Sequence, residues 1–341
     1  MAKEMHYDEA DKAIIKNSNI VQGFVGNPQM NFDSAEDAGV FFAQELDIVK
    51  SKTYDKVYPE MTALATFPIT HELPEGAETF TYYSYEKTGM ANIINNYSTD
   101  LPRADVKGKP THGDIKSIGN SYGYSVQDMR ASRMVGKNLD ARRADAARYA
   151  HDNKVNKIAW AGDKENGLVG ILSVDNNIPI YVLSTVEGSD KTEFSAKNCD
   201  QILADFSGAI EYMASTTKNV EKPDTVWMAP SRLRKLAMTR IEGTDSTVLK
   251  FLKDNLSDIT NWYESPELEA NSTDTNPYAA ENQAVMVLGK NDPDKFSLEN
   301  PMEFYQYPVQ EKGLEMVIPC ESRTAGLIIY YPLSLLIVPG I

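Results

Sequence analysis

An α+β fold is what this sequence predicts, on three observations: one long Ala-rich helical stretch, two segments with period-two alternation, and a C-terminal series of short apolar strands. The helical stretch, Leu139 to Trp160, would run about 22 residues, roughly 33 Å at the standard rise. Six of its positions are Ala, and only Leu139, Tyr149, Val155, Ile158 and Trp160 offer substantial apolar surface. It therefore reads as a strut too poor in large side chains for an ordinary core. Asn138 is placed to cap it, Asp140 lies in its first turn, and Gly162 is a natural stop. The alternating segments are Glu78 to Tyr85, after the turn Pro74-Glu75-Gly76, and Ile115 to Val126, punctuated by Gly119 and Gly123.

The remaining elements follow in chain order. The first ~35 residues are polar and acidic, an arm that orders only when it lies against something. Ala38, Phe41, Phe42, Leu46 and Ile48 share a helix face, and Val57 to Phe67 leads into extended chain. Ile115 to Val126 is the expected return strand for Glu78 to Tyr85. The intervening stretch of about thirty residues has little to build a core around and is expected to project as a hairpin. After the strut, residues 199–217 form a helix with Ile202, Phe206, Ile210 and Met213 on one face. A strand and helix follow in DTVWMAPSRLRKLAM, opened by Pro230 and Ser231, and another helix covers Thr247 to Leu256. The acidic loop SPELEANSTDTNPYAAEN closes a lobe from about 196 to 300. AVMVLG, MEFYQYP, LEMVIPC and AGLIIYY are strands, and with no repeat and no Gly/Ser linker the lobes are expected to share them.

With 341 residues the chain can build about two domains, and its 42% hydrophobic content suffices for a core. A net charge of −15 and a pI near 4.8 argue against gripping nucleic acid across the whole surface, because such binding rests on phosphate neutralisation. Any DNA nearby is contained instead. The charge is uneven: residues 130–157 carry eight Lys or Arg against three Asp, a net +5, whereas 254–299 carry ten acidic and two basic residues, a net −8. Two cysteines, Cys199 and Cys320, form neither a disulfide framework nor a thiolate metal site. The N-terminus lacks the basic and apolar regions of a signal peptide. GLIIYYPLSLLIVPGI, broken by Pro332 and Pro339, suits buried strands better than a membrane span.

Motifs for chemistry are weak. Gly119-Asn120-Ser121-Tyr122-Gly123 matches the G-x-S-x-G nucleophile elbow, but the one histidine after it, His151, falls in mid-strut, and a Gly-flanked strand bend explains the motif better. His6, His71, His112 and His151 lack metal-ligand spacing. Asp292-Pro293-Asp294 with Glu299 lacks the Gly of a calcium loop. Gly136-Lys137 lacks the earlier Gly of a phosphate loop. No catalytic, cofactor-binding or metal-binding residue is nominated, and an enzyme is not expected. The 18 Tyr fit either interfaces or strand faces, as in Tyr82, Tyr83, Tyr85 and Tyr330, Tyr331.

The chain resembles the major capsid proteins of tailed bacteriophages, specifically a family of short phage capsid proteins formerly of unknown function, which share the Johnson fold with encapsulins. The resemblance spans nearly the whole chain. It rests on DIVKSKTYDKVYPE (Asp47 to Glu60), GAETFTYYSYEKTGMANIINNY (Gly76 to Tyr97), DLPRADV (Asp100 to Val106), SYGYSVQDMR (Ser121 to Arg130) and LDARRADAARYAHDNKVNKIAWAGD (Leu139 to Asp163). The Gly167 to Leu172 turn and the AGLIIYYPLSLLIVPGI tail fit too. The resemblance implies an N-terminal arm at 1–45 and a peripheral domain at 46–195, which includes an extended loop at 77–120 and a spine helix at 139–162. It further implies an axial domain at 196–300 and C-terminal strands at 301–341 completing both domains. The implied function is structural: pentamers and hexamers close into an icosahedral shell around double-stranded DNA in the virion, assembled in the host bacterial cytoplasm. Implied partners are further copies of the chain, a separate scaffolding protein, a portal protein, decoration proteins and packaged DNA in weak non-specific contact, with no membrane and no cofactor. Lys87, Met90, Tyr97, Leu101, Pro102 and Arg103 would make inter-subunit contacts in the loop, and Arg142, Arg143, Arg148, Lys154 and Lys157 would face the lumen. Lys87, Lys107 and Lys109 lack the Asn and Glu partners of a crosslink pattern. An encapsulin-like compartment holding a cargo enzyme is the alternative, and a serine hydrolase using Ser121 a remote one.

Overall fold

The computed structural model describes residues 58–91, 102–135, 140–186, 191–270, 276–278 and 283–341, leaving aside the side chains of 135, 140 and 141. The expected arm, the helix face over 38–48 and the Asn138 cap lie outside these residues. The chain runs through α1 (Thr62–Thr66), β1 (Ile69–Thr70), β2 (Thr79–Thr88), β3 (Asp105–Asp114), β4 (Lys116–Ser125), α2 (Val126–Val135) and α3 (Asp140–Ala161). It continues through α4 (Cys199–Thr216), β5 (Thr225–Met228), α5 (Pro230–Met238), α6 (Val248–Asn255), β6 (Asn261–Glu264), β7 (Val285–Gly289) and β8 (Phe296–Glu299). The last strands are β9 (Met302–Gln306), β10 (Gln310–Lys312), β11 (Glu315–Thr324), β12 (Gly326–Ile329) and β13 (Leu335–Pro339). Where extended chain was expected before Phe67, the chain makes the one-turn helix α1, whose Thr62 and Ala63 are buried.

The main core surrounds a sheet of order β13-β7-β5-β6, with β5 parallel to β6 and antiparallel to β7. TVWM in β5 and VMVLG in β7 are continuous apolar runs, the pattern of strands covered on both faces, and every residue in them is buried. Trp227 anchors the sheet: its ring meets Phe67 at 5.7 Å and Phe296 at 6.2 Å, and its Nε1 donates to Thr66 Oγ1 at 3.0 Å. α4 begins at a capping box formed by Asn198 and Gln201 and buries Ile202, Phe206, Ala209 and Met213 along one stripe. Asp205, also buried, takes Lys197 and the Ser184 hydroxyl as partners. β13 comes from the C-terminus, so residues 335–339 complete a sheet begun 110 residues earlier at 225.

Two further sheets take the remaining long strands. β8 pairs with β1 and β12, so residues 296–299 leave the lobe that ends near 300 in sequence and join a different sheet. β4 pairs along its whole length with β11, from Lys116 against Thr324 to Ser125 against Glu315, and β9 and β10 share the other edge of β11. This corrects one expectation. β4 is not the return strand for Glu78 to Tyr85; the partner of β2 is β3, from Thr79 against Asp114 to Thr88 against Asp105.

Helix α3 spans Asp140–Ala161, one residue past the expected Trp160 and up to the Gly162 stop, while Leu139, its expected first residue, lies outside the described residues. Gly162 takes φ +76° and its N–H bonds Ile158 O at 2.8 Å. The chain then folds back, and the N–H groups of Ile171 and Leu172 satisfy the last carbonyls, Ala159 O and Trp160 O, at 3.0 and 2.7 Å. Gly170 is required there, because a Cβ would stand 2.7 Å from both Ile158 O and Trp160 O. The strut reading fails for the second half of the helix: Val155, Ala159 and Trp160 are buried in the main core, and Ile158 is buried beside them. A few large side chains suffice because polar bonds do the rest. Asn156 accepts from Ala63 N and donates to Glu267, while Trp160 Nε1 donates to Thr62 Oγ1. In the first half, Ala147 packs under the β4–β11 sheet with Tyr124, Ile318 and Cys320.

Candidate assembly surfaces

Among the described residues β2 and β3 form a two-stranded ribbon with no third strand. Such a ribbon is marginal in water unless something covers it. Only its root is covered. Phe80 and Tyr82, on one face, pack on a small cluster of Ile115, Ala325 and Ile328. Tyr82 stands edge-on to Tyr330 at 5.2 Å and its hydroxyl donates to Ile329 O. Below the root, the Arg323 guanidinium donates to Glu75 O and Ala77 O, fastening the chain that enters β2 to β11. Clefts of about 350 and 460 Å³ flank this neck.

Beyond Ser84 both faces of the ribbon are open, and no residue of β2 or β3 is buried. Register and pleat sort the side chains. One face carries Tyr83 opposite Pro110, Tyr85 opposite Gly108 and Lys87 opposite Val106, whereas the other carries Glu86 opposite Lys107. The first face is the apolar one: Tyr83 is 61% exposed, Tyr85 69% and Val106 56%. Its two rings stack at 6.4 Å, and the Tyr85 ring lies over the bare backbone of Gly108. Pro110 is tolerated because each strand of a lone ribbon is an edge.

The loop residues predicted to touch a neighbour divide accordingly. Lys87 and Met90 are exposed on or just past β2, and Pro102 and Arg103 are exposed before β3, whereas Tyr97 and Leu101 lie outside the described residues. Sequence reasoning missed Val106 and Pro110, whose signal is faint in a strand reading VKGKPTHG, and it missed the neck made by Phe80, Tyr82 and Arg323.

The five basic residues of α3 do not share one face. At about 100° per residue Arg142, Arg143, Lys154 and Lys157 fall within an arc of about 120°, and Arg148 projects about 120° away from that arc. Arg143 is committed inward, donating to Gly123 O and Asp128 and lying over the Tyr124 ring at 4.6 Å. Arg148 is exposed and pairs with Asp152; Lys154 is exposed and pairs with Asp163, a bond that holds the Asp163 carboxyl below its usual range. Arg142 and Lys157 are exposed as well.

Ser121 lies in the middle of β4, exposed and paired with Pro319, with no strand-to-helix elbow around it. The ring of His151 is bonded to Ser322 instead. Asp292 accepts from Asp294 N, and Glu299 from Leu73 N and Thr70. Among the described residues no group of three or more His, Cys, Asp or Glu side chains is placed to hold a metal ion, and no helix is long and apolar enough to cross a membrane.

Comparison with known proteins gives this architecture its family. The major capsid protein family model matches residues 89–341. Among solved structures, the capsid of Myoviridae phage XM1 superposes with a TM-score of 0.74 at 14% identity, covering 89% of this chain and 100% of that one. The capsid of a native GTA particle gives 0.62 at 8% identity, covering 89% and 98%, and Mycobacterium phage Ogopogo gives 0.56 at 13% identity, covering 84% and 94%. A search of curated proteins returned no match. With the fold shared and three quarters of its length matched, the chain belongs to the major capsid protein family: it is a structural protein of a virion capsid, built on the Johnson fold of phage shells.

Proposed function

We propose that copies of this chain assemble as pentamers and hexamers into the icosahedral shell of a tailed phage, enclosing double-stranded DNA. The observation that carries the reading is the ribbon, a two-stranded element whose apolar face, with Tyr83, Tyr85 and Val106, has no cover among the described residues. A neighbouring copy supplies that cover, and repeated overlap of this kind gives a shell its stability. Residues 1–45 act as the arm, 77–120 as the extended loop, 139–162 as the spine of a peripheral domain at 46–195, and 196–300 as the axial domain, with 301–341 completing both. Lys87, Met90, Tyr97, Leu101, Pro102 and Arg103 touch neighbours around the ribbon. A separate scaffolding protein guides assembly in the host bacterial cytoplasm, a portal occupies one vertex, and decoration proteins bind the finished shell. DNA contact is weak, sequence-independent and abolished by salt, and falls to Arg142, Lys154 and Lys157, with Arg148 on a separate face and Arg143 held by Asp128.

Electron microscopy of particles made with the cognate scaffolding protein tests this. Wild-type chain gives closed shells with nuclease-resistant DNA, and the Tyr83→Ser, Tyr85→Ser double variant remains soluble but gives few or none. Normal shells from the double variant would remove the ribbon from the account. Closed shells carrying protein cargo and no protected DNA would point to an encapsulin-like compartment.

A further inference from the structure

His151 sits at the middle of α3, 1% exposed, where the helix meets the β4–β11–β9 sheet. Its Nδ1 lies 2.7 Å from Ser322 Oγ on β11, and its ring stands edge-on to Phe304 of β9 at 4.9 Å. The other nitrogen, Nε2, is buried with no hydrogen-bond partner. A neutral imidazole is tolerated by this arrangement, since Nδ1–H donates to Ser322 Oγ and Nε2 is left only as an uncharged, unpaired acceptor. A protonated ring is not: both nitrogens then donate, and Nε2 finds no acceptor.

The charges around the ring come from three sides. On α3, Asp152 is next to His151 and is itself engaged by Arg148 at 3.7 Å. On β9, Glu303 flanks Phe304 and faces His71 at 3.7 Å. On β11, Glu321 and Arg323 flank Ser322 but point to the other face, where they bond Tyr307 and the chain before β2. Facing β4 positions contribute no charge: Ile118 pairs with Ser322, and Asn120 bonds Ala147 O.

We propose that His151 is a pH-sensitive latch between α3 and the β4–β11–β9 sheet, closed while the ring is neutral and released when it takes up a proton. Desolvation lowers the proton affinity of the ring below the ordinary histidine value, and the Asp152 carboxylate opposes this without overcoming it. Burial also pushes the Asp152 carboxyl above its usual range, against Arg148 and His151, which weakens it as a counter-charge in acid. The unfolded chain therefore binds this proton more readily than the folded one. The stabilisation is complete above about pH 6.5 and is lost as pH falls below it toward the lowered folded value.

Hydrogen exchange of the unassembled full-length chain, corrected for the intrinsic pH dependence, reads the latch directly. In wild type, exchange in peptides from α3 and β11 rises about three- to tenfold between pH 7 and pH 5. His151→Gln removes that rise, and His71→Gln and His112→Gln retain it. An undiminished rise in His151→Gln would overturn the proposal. Should His151→Gln fail to fold, histidine-selective NMR of wild type decides, with the fourth resonance assigned by replacing His6, His71 and His112 in turn. A His151 ring that takes up its proton below pH 6.5, in step with the exchange, supports the latch. One that titrates at or above 6.5, or stays neutral throughout the rise, refutes it.

Discussion

The sheet around Trp227 and the ribbon of β2 and β3 are both built from β-favouring residues, yet every residue of β5 and β7 is buried and none of β2 or β3 is. The difference lies in how apolar residues are arranged. TVWM and VMVLG run without a break, so both faces need cover, and the chain provides it from α4, α5, α6 and α1. TFTYYSYEKT alternates, and its partner strand offers Gly, Pro and Lys, so among the described residues only the root finds cover. Burial in the first region is a property of the subunit; in the second, on the proposed reading, it would belong to the assembly. α3 spans two settings in one helix, its first half lying under the β4–β11 sheet and its second half in the main core.

Trp227→Ala makes the comparison sharpest on the subunit side. It removes the ring contacts to Phe67 and Phe296 and leaves Thr66 Oγ1 without its donor, and the expected cost is about 3–5 kcal/mol in denaturant unfolding of free subunits. A loss below about 1 kcal/mol would mean the sheet is not the stabilising centre. Asn156→Ala comes next. It strips the buried Ala63 N–H of its acceptor and takes one donor from the Glu267 carboxylate, which keeps Thr62 Oγ1, at about 1–3 kcal/mol. Loss of half a kcal/mol or less would show that the second half of α3 is held by its apolar side chains, Val155, Ala159 and Trp160, and not by the Asn156 bonds.

These residues also mark what the sequence makes legible. The limits of α3 were readable from local chemistry, Ala inside and Gly162 just past the end. Its burial was not, because the bonds that hold it come from Ala63, Glu267 and Ser322, 93, 111 and 171 residues away in sequence. α4 was readable through its apolar face of Ile202, Phe206 and Met213, α5 through its leading Pro230, and α6 in its extent from Thr247, whereas the Asn198–Gln201 capping box came only with the structure. β8 and β6, four residues each, offered too short a pattern to separate from loop. The partner of β2 was misassigned because Tyr122, Tyr124 and Ile118 give β4 a stronger alternation than Gly108, Pro110 and Gly113 give β3. That alternation served the long pairing with β11 instead. For the assembly surface, the projecting segment was readable from its lack of core-forming residues, whereas its working face was not, since a face exists only once register is known.

The smallest expected effect is on the ribbon itself, and it separates the two kinds of burial most cleanly. Tyr85 is 69% exposed and touches mainly the Gly108 backbone across the ribbon and the Tyr83 ring. Tyr85→Ser should therefore lower the unfolding free energy of free subunits by no more than about 0.5 kcal/mol, the scale of one exposed cross-strand pair. If a neighbouring copy covers that ring in the shell, amide protection in 79–88 and 105–114 rises on assembly in wild type, and the single variant loses a measurable part of that gain while α3 and β7 keep theirs. Hydrogen exchange on free subunits and on shells of both proteins makes the comparison. Equal protection of the ribbon before and after assembly would show that it needs no cover from another copy. A free-subunit loss above about 1 kcal/mol would show that Tyr85 already stabilises its own chain, and the contrast between sheet and ribbon would then be one of degree.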